Sequence, residues 1–527
     1  MQTSFKTFLW ALLVVGALSA CGRTAPAGEA ADSLAAADEA LEAIDVAPQA
    51  SVGELTYTVE HWAATTGDDR LADTLRDEYA AADGVLTFRG GLQRTADFGG
   101  RVSGEPQKIV CEWTYTTDKS ETWGGGSGWT GQPLVVHWSD AAVERMRAGG
   151  APLTADFSND EIIVGSLCGK IYFLNAASGR ASREPLDAGN PVKGTVSLDP
   201  RALSGEADAA LLFVGQGVPD AEPFGCMAFD LYNHERVFFQ GRDAKAYRGW
   251  GAYDSSPVRV GDYVFWPGEN GSLYKFSCKN RAIVPHSTLR YLAKGDTGAG
   301  IENSLCVYRN LGFFGDNHGD VVGIDLRTLQ PLWHYDVGDD VDGTLVCEVE
   351  DGVPFVYVGC EVDRQGERGN ARFVKLNGLT GEKVWGQSVA CWRVEKYEKH
   401  FDGGLYCTPL LGRGDCDSLV FFSMCNDRDV DAGTFYALER ATGRTAYTVA
   451  LEHYAWSSPI GFLNEEGRQF IVVGDTQGRL YLLEGKTGRR LFCSVMGANF
   501  ESSPAIVDGR SFVVGSRGDK IYRFRVE

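Results

Sequence analysis

The chain is poor in the residues that usually carry metal or electron chemistry. Of its 527 residues only 8 are His, and none stands four positions from another, so the HxxxH and HExxH patterns of a catalytic zinc centre are missing. Its 13 Cys include no CxxC, no adjacent Cys-Cys pair and no CxxCH, which excludes an attached c-type haem. The Gly-rich stretch 124–131 (GGGSGWTG) lacks the Lys-Ser or Lys-Thr of a phosphate loop. No arrangement of Ser, His and Asp stands out by spacing. Basic charge is scarce too. Lys and Arg number 50 against 71 Asp and Glu, a net charge of −21 that repels phosphate backbones and argues against nucleic acid as a partner. Beyond the first 20 residues no segment is long and apolar enough to span a bilayer.

Residues 1–20 read as a secretion signal, with Lys6 as the positive start and Phe8 to Leu18 as the apolar core. The segment ends Leu18-Ser19-Ala20-Cys21-Gly22, which resembles a bacterial lipobox. That resemblance implies cleavage before Cys21, lipid on Cys21, and an outer-membrane lipoprotein of the cell envelope, facing the periplasm or the surface. Residues 21–50 are Ala-rich and acidic and read as a flexible tether. Residues 51–84 form an N-terminal extension, in which 67–83 has the pattern of one short helix. An exported chain can pair its cysteines, and Cys416 with Cys425 is the pair to test. The competing expectation is buried free thiols on strands, as at Cys111 and Cys168.

What the chain has in abundance is repetition. Ser255-Ser256-Pro257, Ser457-Ser458-Pro459 and Ser502-Ser503-Pro504 each open a similar stretch. An apolar strand runs into a Gly, a short polar turn follows, and a Tyr-bearing strand comes next. Anchored on the residue ending the second strand, eight units align at Gly165, Gly215, Gly268, Gly315, Gly359, Ser423, Gly474 and Gly515. Repeats of this size are four-stranded blades. The expectation is an all-β, eight-bladed β-propeller over residues 85–527. Turns at Ser178-Gly179, Thr380-Gly381, Thr442-Gly443 and Thr487-Gly488 precede outer strands bearing aromatics such as Trp333, Trp385 and Phe492. The chain stops after the third strand of the last unit. Residues 109–116 (IVCEWTYT) therefore close the ring, with Trp113 in the place of the missing aromatic.

The SSP opener, the V-x-G anchor, the Tyr-bearing strand and the Thr-Gly turn with its Trp resemble the pyrroloquinoline-quinone-type (PQQ-like) repeat. The lead-in LTFRGGLQR at 86–94 is similar to that of such propellers. The resemblance spans 85–527. It implies kinship with quinoprotein dehydrogenases and with the propeller lipoprotein of the outer-membrane β-barrel assembly machinery. In the dehydrogenases the quinone lies over a Trp and beneath an adjacent-Cys disulfide, with Ca²⁺ and a catalytic Asp; this chain lacks the Cys pair, which counts against PQQ as its cofactor.

The residues just before each opener should crowd one mouth of the central channel: Thr130, Lys193, Asp254, Glu302, Asp342, Tyr406, Trp456 and Glu501. Their carboxylates repel one another and favour a cation, with oxygen donors suited to Ca²⁺, or a basic ligand. Alternatively they face open water or bond neighbouring backbone. Trp123, Trp129 and Trp456 are candidate aromatic contacts for a glycan or peptide, or packing between blades. Acidic loops at 315–320, 339–342 and 361–369 read as turns. No catalytic residue is assigned. The leading expectation is a non-catalytic binding or scaffolding module for envelope proteins or glycan. The alternatives are a PQQ- or Ca²⁺-dependent oxidoreductase and an outer-membrane assembly scaffold.

Overall fold

The computed structural model describes residues 41–62, 71, 74–96, 98–128, 131–279, 281–396 and 399–527. Within them, eight antiparallel sheets stand radially about one axis, each following its neighbour in chain order. Their second strands end at or beside the eight aligned anchors, for example Asp160–Gly165, Tyr263–Gly268 and Gln469–Gly474. We number the blades 1 to 8 in that order. Apolar side chains of adjacent blades interlock, so one buried core runs around the ring in successive clusters.

The repeated opener has a physical role. The backbone N–H of its second residue donates to the hydroxyl of the equivalent residue one blade on. Ser256 donates to Ser304 Oγ at 2.8 Å, Ser304 to Thr344 Oγ1 at 3.0 Å, Thr408 to Ser458 Oγ at 2.9 Å and Ser458 to Ser503 Oγ at 3.2 Å. A small hydroxyl residue is needed because the blades are closest here, and every buried N–H needs an acceptor.

Ring closure follows the expected route. Ile109–Thr116 pairs with Lys520–Val526 as the fourth strand of blade 8. The Trp113 indole donates to Ala176 O at 3.0 Å and its ring covers Gly179 of blade 1. Trp333 and Trp385 repeat this contact on the Gly378–Gly381 and Arg440–Gly443 turns of the next blades. Gly179 has a φ of 70° and a Cβ there would lie 2.5 Å from the indole, so both conformation and space call for Gly. Closure removes the exposed edge of an incomplete sheet.

Residues 84–94 form an axle. Thr87 reaches Pro257 O of blade 3, and Arg89 donates to Pro459 O at 2.8 Å and Pro409 O at 3.2 Å. Arg94 holds Leu305 O at 3.0 Å, while Leu86 O, Leu92 O and Gln93 O accept from blades 2, 4 and 5. Gln132 accepts from Arg89 N and donates to Pro504 O of blade 8, both within 2.8 Å. Burial lowers the Arg89 and Arg94 guanidinium pKa values to about 9 and about 10, so both stay charged at neutral pH.

Several expectations change. No helix forms among the described residues of 67–83; Thr74–Leu75 instead pairs with Leu41–Glu42. The end of the expected tether is docked: Ile44 N donates to Asn310 Oδ1 and Gln49 N to Leu332 O. Leu55–His61 adds a fifth strand to blade 3. Cys416 and Cys425 lie before and at the end of one extended strand, Leu419–Cys425, too far apart to bridge. Cys111 is exposed and Cys168 half-buried, whereas the nine cysteines from Cys226 to Cys425 are buried free thiols. The signal and Cys21 lie outside the described residues.

Candidate functional site

The openers stitch the blades at one end of the axis, so the residues before them meet there. Asp254, Glu302 and Glu269 bring carboxylate oxygens within 4.8 Å of one another. The Lys193 ammonium pairs with Asp254. Burial alone would lower the Lys193 pKa, but Asp254, Glu269 and Glu302 reverse this and raise it. Glu269 accepts the Trp250 indole N–H at 3.0 Å through Oε2, and its Oε1 has no donor. Burial and then the neighbouring carboxylates raise Glu269 well above the usual range; Glu302 is raised by burial against the pull of Lys193.

The wall continues onto blade 5. Glu361 pairs across strands with Gly404, two residues before Tyr406, and its backbone N–H donates to Asp340 O at 2.8 Å. Burial, followed by mutual repulsion, lifts Asp340, Asp342 and Glu361 well above ordinary carboxylate values. Beyond Tyr406 the wall becomes aromatic: Tyr406 stacks on Trp456 with centroids 4.7 Å apart, and Tyr454 lies 5.8 Å from Trp456. Glu501 follows, paired to Arg517 at 3.2 Å and to Asn499 at 2.7 Å.

The structure thus gathers Lys193, Asp254, Glu302, Asp342, Tyr406, Trp456 and Glu501 around one mouth. Glu501 departs from the expected cluster, because Arg517 neutralises it. Thr130 and Trp129 lie outside the described residues. The Trp123 indole donates to Asp220 at 3.1 Å, and Asp220 N donates to Asn190 Oδ1 at 2.7 Å, on the loop beside Lys193. Asp316 holds its own turn: its carboxylate accepts from the N–H groups of His318 and Asp320 at 2.9 Å and from Tyr291 OH at 2.8 Å. Asp339 likewise accepts from Asp363 N and Gln365 Nε2.

Sequence reasoning missed Glu269, and it read Asp340 and Glu361 only as parts of the acidic turns at 339–342 and 361–369. A signal existed for two of them. Glu269 directly follows the anchor Gly268, and Glu361 stands two residues past Gly359. In an antiparallel blade the end of the second strand adjoins the start of the first, so these positions reach the same mouth.

Residues 431–527 match the family model described as outer membrane protein assembly factor BamB. A quinohemoprotein alcohol dehydrogenase from Comamonas testosteroni superposes with a TM-score of 0.56 at 13% identity, covering 84% of this chain and 80% of that one. This chain is an eight-bladed antiparallel β-propeller. A quinohemoprotein alcohol dehydrogenase from Pseudomonas putida gives 0.55 at 11% identity, with the same coverage of 84% and 80%. BamB from Moraxella catarrhalis gives 0.48 at 14% identity, covering 79% of this chain and all of that one. These likenesses are of fold, which does not carry function with it. No curated protein matches the sequence.

The mouth of this propeller is a poor seat for pyrroloquinoline quinone. Pyrroloquinoline quinone is a polycarboxylate anion. Here it would meet Asp254, Glu269, Glu302, Asp340, Asp342 and Glu361, with Lys193 already engaged by Asp254. A cavity of about 600 Å³ opens at the other end of the axis, lined by Tyr79, Leu92, Phe98, Tyr308 and Ile506 among others.

Proposed function

We propose that this chain is a lipid-anchored binding module of the cell envelope. Its partner is a protein that presents positive charge to the propeller mouth. Cys21 carries the lipid, and the ring, blocked along its axis by residues 84–94, serves as a platform and not a conduit. One observation carries the reading: a wall of buried and half-buried carboxylates, from Asp254 to Glu361, ends on the Tyr406–Trp456 stack. Buried like charges are costly to hold together and are relieved by an opposite charge. A charged wall selects a charged partner, which favours a polypeptide over a neutral glycan.

The test is capture from detergent-solubilised envelopes with the full mature chain, beside the doubly neutralised D342N/E361Q chain. The expected result is a partner retained by the first and lost by the second. Equal capture by both removes the mouth from the reading. Cys21→Ala is expected to move the chain from the membrane to the soluble fraction, and unchanged membrane association would refute the anchor.

The BamB match over 431–527 favours, as a second reading, a scaffold in outer-membrane protein assembly. Recovery of barrel-assembly proteins in the same capture would decide for it. The three clustered oxygens of Asp254, Glu269 and Glu302 are what a Ca²⁺-dependent oxidoreductase would use. Calorimetric titration with quinone plus Ca²⁺ tests that reading, and absence of heat removes it.

A further inference from the structure

The acidic wall divides into two groups with different histories of compensation. In the first, Asp254, Glu269 and Glu302, the chain supplies its own cation. Lys193 stands at the position before the blade 2 opener and places its ammonium on Asp254, with its side chain 14% exposed. An ammonium on a carbon stem is therefore a group that this mouth already accepts. In the second, Asp340, Asp342 and Glu361, no ion pair to a basic side chain exists among the described residues. Glu361 is 2% exposed, and its Oε1 has no hydrogen-bond donor. Asp340 Oδ1 is in the same condition. The Glu361 backbone N–H donates to Asp340 O at 2.8 Å, which ties the two segments together.

The second group also has something the first lacks. Tyr406, two residues past the Gly404 that pairs with Glu361, is stacked on Trp456 at an interplanar angle of 24°. Tyr406 is buried, while Trp456, Asp340 and Glu302 are half-buried, so the pocket between carboxylates and rings is reached from outside. Carboxylates beside aromatic rings suit an organic cation. The charge meets oxygen, and the weakly hydrated stem and ammonium edge lie on the ring faces. A hard metal ion gains nothing from the rings, since it takes oxygen ligands.

We propose that Asp340, Asp342 and Glu361, together with Tyr406 and Trp456, form a seat for a primary ammonium group supplied from outside the chain, beside the seat that Lys193 fills from within. This rests on the reading of the mouth as a binding face and names the chemistry that it takes. The ammonium can come from a lysine side chain or from a free polyamine.

Isothermal titration of the full mature chain with tetralysine amide, spermidine and CaCl₂ tests the proposal. Binding of either amine supports it. Tetralysine without spermidine assigns the source to a polypeptide, and spermidine alone assigns it to a free amine. D342N/E361Q, checked for folding by circular dichroism, is expected to weaken amine binding at least tenfold. Trp456→Ala is expected to weaken it severalfold while leaving any Ca²⁺ heat unchanged. Glu465→Gln, an exposed carboxylate at the other end of the axis, is expected to change nothing. Amine binding that survives in folded D342N/E361Q overturns the proposal, as does a mouth that binds Ca²⁺ but neither amine. Amine binding that holds while no envelope partner is captured overturns the envelope-partner reading alone.

Discussion

Lys193→Met is the sharpest probe of the mouth. The substitution keeps an aliphatic stem of similar volume and removes the ammonium. Lys193 is 14% exposed and Asp254 2% exposed, so water screens their pair weakly. Breaking a buried pair by deleting one partner typically costs about 3–5 kcal/mol, because the remaining charge is left uncompensated. Here Asp254 has Glu269 and Glu302 beside it, so the upper part of that range applies at pH 7.5. Acid offers an escape. Glu269 and Glu302 are raised by burial, so once they are protonated fewer charges need the ammonium, and the loss should shrink to about 1 kcal/mol at pH 5. Urea unfolding at the two pH values measures both numbers without the screening that an ionic denaturant brings. An equal loss at both pH values would refute the reasoning, since it would mean that Lys193 acts through packing. No loss at either would show that the carboxylates do not depend on it.

Other outcomes follow from the same geometry. In the wild type, Glu269, Asp340, Asp342 and Glu361 are raised above their unfolded values and Asp316 is raised to about 7, each first by burial. The folded state therefore binds protons more tightly than the unfolded chain. Stability should be highest near pH 5 and fall as pH rises through 7, readable in urea midpoints; a rise over that range would contradict it. Asp342→Asn should flatten this profile and stabilise the chain at pH 7.5 by about 1 kcal/mol. Trp113→Ala should cost about 2–4 kcal/mol, from lost ring burial on blade 1 and the lost bond to Ala176 O. Gly179→Ala, which drives a Cβ into the same indole, should destabilise too. If both behave as silent surface changes, Trp113 does not hold the ring closed.

The architecture was legible because a repeat states its own period. Anchors such as Gly268 and Gly474 end second strands, and Trp113 could be assigned to a sheet at the far end of the chain because that sheet lacked one strand. The register residues were legible for the same reason, since Asp254, Glu302 and Asp342 hold one position in successive units. Glu269 and Glu361 were passed over because their turns look like ordinary polar turns until the strands are paired. Residues 41–61 read as tether and extension by composition, yet they dock: Asn310, Leu332 and the outer strand of blade 3 offer hydrogen bonds that composition does not reveal.

The sequence by itself determined the blade count, the closing strand and the mouth register, because each follows from periodic, local patterns. Only the tertiary structure decided which charges meet. It placed Lys193 on Asp254, gave Glu501 to Arg517, left the blade 5 acids beside an aromatic stack, and ran Arg89 and Arg94 through the axis. Those contacts join residues far apart in the chain, and their energies depend on distance and burial, which folding alone creates.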